Sequence, residues 1–381
     1  MRVTTGGHLT YCMNVHPGES WDDVVNAVRT YLPKSKAALS PHHPLGVGLR
    51  ISNEACESSL GREQELCDAL SEVGAYAFTV NAFPFGAFHH TRVKEKVYQP
   101  DWSDPARVTY TLNVARLLAA LLPEGVSGSI STVPLGYKYG RKETGDRKRD
   151  FEEHLLHTAK GLKQIYDTTG KRIHVGLEPE PDCLLETTNE TVDFFRHLFQ
   201  HPEAELLQTY IGVCLDTCHA AMQFEDPVIC VKRYLDENIL ISKIQLSAAL
   251  EASSSEITPQ DLHPFDDGVY FHQITSASGK RWRDLPDWLT HPDFEAGDLR
   301  IHCHVPLDWS GNGKIRSTRH TLTEPFWKIL NQLPDPHLEI ETYTFDILPS
   351  EVQRSKTLGQ SIIDEYAWVL NHISDLNVEE S

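Results

Sequence analysis

The chain has 381 residues, 40% of them apolar, and a formal net charge of −19. That length and apolar share suffice for a single α/β barrel with a sizeable core. The acidic surplus argues against tracking a phosphate backbone, and no run of apolar residues is long enough to span a bilayer, so a small-molecule substrate or a bound cation is the expected partner.

Short strand-like runs alternate with longer helix-like runs. In chain order the strand candidates are 9–15, 45–52, 75–83, 127–133, 173–180, 211–218, 241–248, 299–307 and 337–344. Between them, Ser20 opens "WDDVVNAVRTYL", with Asp23 three residues on as a capping-box partner. Period-3.6 apolar stripes mark 105–122 and 149–169, and 189–200 and 358–373 complete the helical set. Such alternation predicts a parallel sheet covered by helices, and eight units close a barrel. Nine strand candidates leave one outside the ring. We expect 299–307 to pair with a segment of "GVYFHQITSASGKRWRD" as a hairpin, within an insertion of about 249–310 between strands seven and eight. The Ser-rich "EASSSEITPQ" reads as a loop of that insertion. One domain is expected over 1–375, with 376–381 frayed. No secretory leader is read at the N-terminus and the eight cysteines include no Cys-x-x-Cys, so reduced thiols in a cytoplasmic protein are expected.

In a parallel barrel the chemistry gathers at the C-terminal strand ends. Strand five ends in Glu178 and Glu180. Strand six ends in Asp216, followed by His219. Strand seven carries Gln245, strand eight Glu339 and Glu341, and the insertion His302 and His304. Several carboxylates in one pocket repel each other, and a divalent cation removes the conflict. Bland readings stand beside this one. Asp216 also suits an N-cap. Glu180 shares a face with Glu178, as Glu339 does with Glu341. Gln245 also suits a buried hydrogen-bonding role, and His302 and His304 the polar face of a strand. His16 reads as shaping the "HPGE" turn, His89 and His90 as exposed loop, Cys214 as core, and Cys218 as an inert thiol near the site. The basic stretch 135–149 is either a solvated loop or an anion-binding lid using Lys138, Arg141 and Lys142.

"GVCLDTCHA" resembles the strand-six motif of the xylose isomerase-like and endonuclease IV-like barrel superfamily, and "GLEPEP" and "LEIET" resemble its strand-five and strand-eight motifs. Over nearly its whole length the chain resembles the EboE-like metabolite traffic proteins, through "LTYCMNVHPGESW", "GLEPEPDCLLET", "GVCLDTCHAA", "RIHCHVP" and "EIETYTFDILP". The resemblance implies a (β/α)₈ TIM barrel holding one divalent ion. Glu178, Asp216 and Glu341 match three ligands, and Gln245 stands where a strand-seven His is usual. A Gln carbonyl suits Mg²⁺ or Mn²⁺ better than Zn²⁺. His219 matches a His that contacts substrate or takes a second ion, and His302 or His304 would serve where the endonuclease branch has its ligands between strands seven and eight, although that branch's motif is Asp-x-His and this chain reads His-x-His. Asn81 and Thr132 occupy the places of that branch's further histidines, so a trinuclear zinc site and DNA repair are not expected.

The expectation is a metal-dependent sugar isomerase or epimerase. Glu178 and Glu341 would exchange a proton with a small polyoxygenated substrate. His219, His302, His304, Lys138 and Arg141 would bind it, and Glu178, Asp216, Gln245 and Glu341 would hold a Mn, Mg or Zn ion, with room for a second. The alternative is a non-catalytic or hydrolytic metabolite-processing protein working with protein partners.

Overall fold

In the computed structural model, which describes residues 1–3, 6–87, 94–139, 145–345, 348 and 356–375, eight parallel strands form a nearly closed barrel. They are β1 (His8–Tyr11), β2 (Leu45–Arg50), β3 (Ala75–Asn81), β4 (Gly128–Thr132), β5 (Ile173–Leu177), β6 (Ile211–Asp216), β7 (Ile241–Leu246) and, after an inserted sheet, β14 (His337–Ile340). The order around the ring is β1-β14-β7-β6-β5-β4-β3-β2. A bridge between Cys12 and Gly48 brings the two end strands together. Nearly every residue of these strands is buried, as expected for staves covered on both faces. Gly48 is required by space: a Cβ there would lie 1.7 Å from Glu339 Oε1.

The covering helices begin where local chemistry tells them to. Ser20 and Asp23 form a reciprocal capping box at the start of Trp21–Leu39, and Thr187 and Glu190 do the same for Thr188–Leu198. Asp104 caps Pro105–Leu121, with proline at its first position. Gly145–Thr169 starts four residues before the reading from periodicity, and Leu358–Asp375 ends two after. The helices Asn53–Ser58, Glu63–Val73 and Pro227–Asp236 had no counterpart in the sequence reading.

The insertion between β7 and β14 is a six-stranded antiparallel sheet of β8 (Ala248–Ser253), β9 (Ile274–Ser276), β10 (Arg281–Trp282), β11 (Asp298–Val305), β12 (Gly311–Asn312) and β13 (Ile315–Ser317). The expected hairpin partner is present: β11 pairs with β9 at Leu299–Ser276, Arg300–Thr275 and Ile301–Ile274. One expectation is corrected. Glu251–Ser253 belong to β8, not to a Ser-rich loop, because β8 pairs with both β11 and β13. Glu251 is held there by Arg300 (3.4 Å), Arg316 (3.1 Å) and His320 (3.0 Å). The β11–β8 register shifts between Ile301 and Val305. Irregularities of this kind re-aim side chains, and this one carries His302 and His304. All eight cysteines are free thiols. Among the described residues no helix is long and apolar enough to cross a membrane.

Candidate metal centre and active site

Asp216 closes β6 and opens the short helix Thr217–Met222. Its two oxygens have different surroundings. Oδ1 accepts from the backbone amides of Cys218 (2.7 Å) and His219 (3.1 Å) and from Ser247 Oγ (2.6 Å). Oδ2 is buried, with no hydrogen-bond donor among the described residues. The cap reading is therefore satisfied by one oxygen, while the other is left for a different partner. Glu178 follows β5 and Glu341 follows β14. Each offers a carboxylate oxygen within 4.8 Å of the other and of Asp216, and all three residues are buried. Burial first, and then repulsion from the neighbouring acids, pushes the Glu178 and Glu341 carboxyls well above the usual range. Burial acts upward on Asp216 too, but His219, His304 and the donors on Oδ1 hold it below its ordinary value.

Glu341 is fixed from two other strands. Asn14, after β1, and Asn81, ending β3, both donate side-chain amides to its Oε1, at 2.8 and 3.0 Å. Gln245 pairs in register with Asp216 on one side and Glu339 on the other. It is fully buried, and neither atom of its amide has a hydrogen-bond partner among the described residues. Glu339 has a different task. It lies two residues deeper than Glu341 and pairs with Lys243 at 2.5 Å, with both side chains fully buried.

Three imidazoles complete the floor. His219 Nδ1 donates to the Pro179 carbonyl (3.0 Å), and His304 Nδ1 to the Glu341 carbonyl (3.1 Å). His302 Nδ1 meets Gln273 Oε1 at 2.7 Å. A carbonyl oxygen only accepts, so these contacts place the proton on Nδ1 and leave Nε2 bare. Metal-binding histidines are usually oriented in this way. His302 Nε2 and His304 Nε2 lie 3.2 Å apart. Burial holds His219 near 4 and lowers His302 and His304, so the imidazoles are neutral at neutral pH. Ligand atoms of Asp216, His219 and His304 form one close group, and those of Glu180, His219 and His302 another.

The residues present therefore suit a divalent ion. They provide three converging carboxylates, two of which, Glu178 and Asp216, keep a buried oxygen with no hydrogen bond among the described residues, together with the Gln245 amide and imidazoles whose Nε2 is unprotonated. The group of Glu178, Asp216, Glu341 and Gln245 is oxygen-rich, and the histidine group is softer.

Above this floor is a cavity of ≈ 570 Å³, mouth included. His302 and His304 line it, but Lys138 does not. Its ammonium sits between Glu186 (2.5 Å) and Glu190 (3.1 Å). Arg141, Lys142, His89 and His90 lie outside the described residues. His16 stacks on Tyr31 at 3.9 Å between ring centres, away from the acids. Asn14 and Tyr98 had escaped the sequence reading, and Asn81 had entered it only in the place of a missing histidine. Neither asparagine carries a sequence signal as a support of a carboxylate 327 or 260 residues away. Tyr98, whose hydroxyl donates to Glu180 Oε1 at 2.9 Å, sits in an irregular segment.

Comparison with solved structures identifies the fold. An L-ribulose 3-epimerase aligns over 98% of this chain and 97% of its own, with 11% identity and a TM-score of 0.51. A 3-keto-D-glucoside 4-epimerase from E. coli aligns over 96% and 99%, with 12% identity and a TM-score of 0.49. An IOLI protein with a bound zinc atom aligns over 97% and 98%, with 12% identity and a TM-score of 0.46. No protein-family model and no curated sequence matches the chain. The architecture is that of a (β/α)₈ TIM barrel.

Proposed function

We propose that this protein is a metal-dependent enzyme of the sugar isomerase or epimerase type, acting on a small polyoxygenated metabolite by proton transfer between carboxylates. The observation that carries this reading is the convergence of Glu178, Asp216 and Glu341 from three staves, with ligand oxygens within 4.8 Å. With Gln245 they would hold one Mn, Mg or Zn ion. Such an ion, when bound, polarises a substrate carbonyl and its neighbouring hydroxyl. Glu178, whose Oε2 has no hydrogen bond among the described residues, takes the proton from the carbon beside that carbonyl. Glu341, held through Oε1 by Asn14 and Asn81, returns a proton through Oε2. His219, His302 and His304 accept hydrogen bonds from substrate hydroxyls at their bare Nε2 atoms. The free thiols favour a reducing, cytoplasmic setting.

The test is deuterium wash-in, read by mass spectrometry, across a panel of ketoses in heavy water with each metal supplied. Wild type is expected to incorporate one deuteron into at least one of them and Glu178→Gln none. No exchange with any ketose and any metal overturns proton transfer.

The histidine cluster favours a second reading. A second ion, at Asp216, His219 and His304 or at Cys218, His302 and His304, would suit hydrolysis, in a metabolite-processing protein of the EboE-like kind working with protein partners. Two zinc ions per chain by elemental analysis, with no exchange activity, would favour that reading.

A further inference from the structure

The cavity has two halves of opposite character. Its floor is Glu178, Glu180, His219, His302, His304 and Glu341, while one wall is Phe83, Pro84, Val97 and Phe271, with Tyr98 beside them. Phe83 and Pro84 follow β3 directly. Val97 and Tyr98 come from the 3₁₀ turn Lys94–Tyr98, and Phe271 from the insertion just before β9.

This wall offers a ligand little to bond with. Phe83, Pro84, Val97 and Phe271 have no polar side-chain atom, Tyr98 already donates its hydroxyl to Glu180, and Lys94, which also lines the cavity, pairs its ammonium with Asp284 and sets it 5.2 Å from the Phe271 ring centre. The backbone carbonyls of Phe83 and Pro84 face inward and accept from Arg107 Nη1 (3.0 Å) and Tyr110 Oη (3.4 Å). The wall is also braced. Tyr98 stacks on Tyr137 at 4.7 Å and 4°, Tyr137 on Phe271 at 6.0 Å and 17°, and Phe83 meets Tyr98 edge-on at 6.0 Å. A substrate with a hydroxyl on every carbon would press some of them against this surface without partners, which is costly. A substrate with an apolar flank would instead bury it there.

We propose that the physiological substrate is amphipathic, with a short polyoxygenated head on the acid and imidazole floor and a flat apolar tail, aryl or unsaturated alkyl, against Phe83, Val97 and Phe271. The seat of the head rests on the proton-transfer reading, and the seat of the tail rests on the wall alone.

The test compares two probes with one head, the monophenyl and monomethyl ethers of glycerol, titrated calorimetrically into the full chain loaded with Mn²⁺. The phenyl ether is expected to bind at least ~30-fold more tightly, the advantage of burying an aromatic ring. Phe271→Ala and Phe83→Ala should each cut that ratio by ~10-fold or more, leaving Mn²⁺ content and methyl-ether affinity unchanged. Equal affinities in wild type, or an advantage that survives in both variants, overturns the proposal. The isotope assay separates the two readings. Wall-dependent phenyl binding without wash-in rejects only the reaction, whereas wash-in without phenyl preference rejects only the tail.

Discussion

His302 Nε2 and His304 Nε2 face each other across 3.2 Å, while the Nδ1 atom of each ring is engaged with an oxygen. Two lone pairs aimed at one point repel unless a cation lies between them or beside them. Ligand nitrogens of a tetrahedral zinc ion sit at about this separation, given Zn–N of about 2.0–2.1 Å. His304→Ala should therefore weaken zinc binding by at least ~10-fold in a competition titration with a chromophoric chelator. An unchanged isotherm would mean that the imidazoles only pack or bind substrate.

Asp216→Asn separates capping from charge. Asparagine caps a helix as well as aspartate does, so the amide accepts in place of Oδ1. The melting temperature of the metal-free protein should hold or fall slightly, because the surrounding donors and imidazoles favour the Asp216 charge. Divalent-ion stoichiometry, measured by elemental analysis after dialysis, should fall. Full retention of metal would remove Asp216 from the ligand set.

Lys243 and Glu339 form an ion pair deep in the barrel, with both side chains fully buried. Lys243→Met leaves an uncompensated carboxylate and should cost about 3–5 kcal/mol of unfolding free energy in urea titrations. The double variant Lys243→Met with Glu339→Gln should recover most of that loss. Equal damage in the single and double variants would show that the pair is not the cause.

Asn81→Ala takes one of two donors from Glu341 Oε1. On the proton-transfer reading, wash-in should slow by about 10–100-fold while metal stoichiometry stays intact. A loss of metal in equal measure would make Asn81 a support of the ligand set instead.

At the opposite end of the barrel, His8 and His174 flank His337, with ring centres 5.8 and 5.5 Å from it. Burial, with the nearby His337 second, lowers His8 to about 4 and His174 to about 3 from an ordinary 6.5. Above pH 6.5 both rings are neutral in the folded and unfolded chains. As the pH falls from 6.5 toward 4, the unfolded chain takes up protons that the folded chain refuses, so stability is lost with acid. The loss should reach on the order of 2 kcal/mol per group near pH 4.5, read from urea midpoints. His174→Gln should flatten that slope, and an unchanged slope would place the acid sensitivity elsewhere.

Much of this architecture is legible in the residues themselves. Alternating strand and helix patterns, the capping signals at Ser20 and Asp216, and acids recurring at strand ends follow from local periodicity and from the cost of burying charge, both of which act over a few residues. They located the staves and brought forward Glu178, Asp216 and Glu341. The tertiary structure alone decided what each acid faces. Glu339 and Glu341 are indistinguishable in "LEIET", yet one lies opposite Lys243 in the barrel interior and the other faces Asn14 and Asn81 at the mouth. Lys138 looked available in a basic stretch, but folding sets it between Glu186 and Glu190. His302 and His304 reach the site through a register shift in β11, and periodicity has no term for an irregularity of that kind. Pairings between distant segments depend on which surfaces close packing brings together, and that is fixed only when the whole ring is assembled.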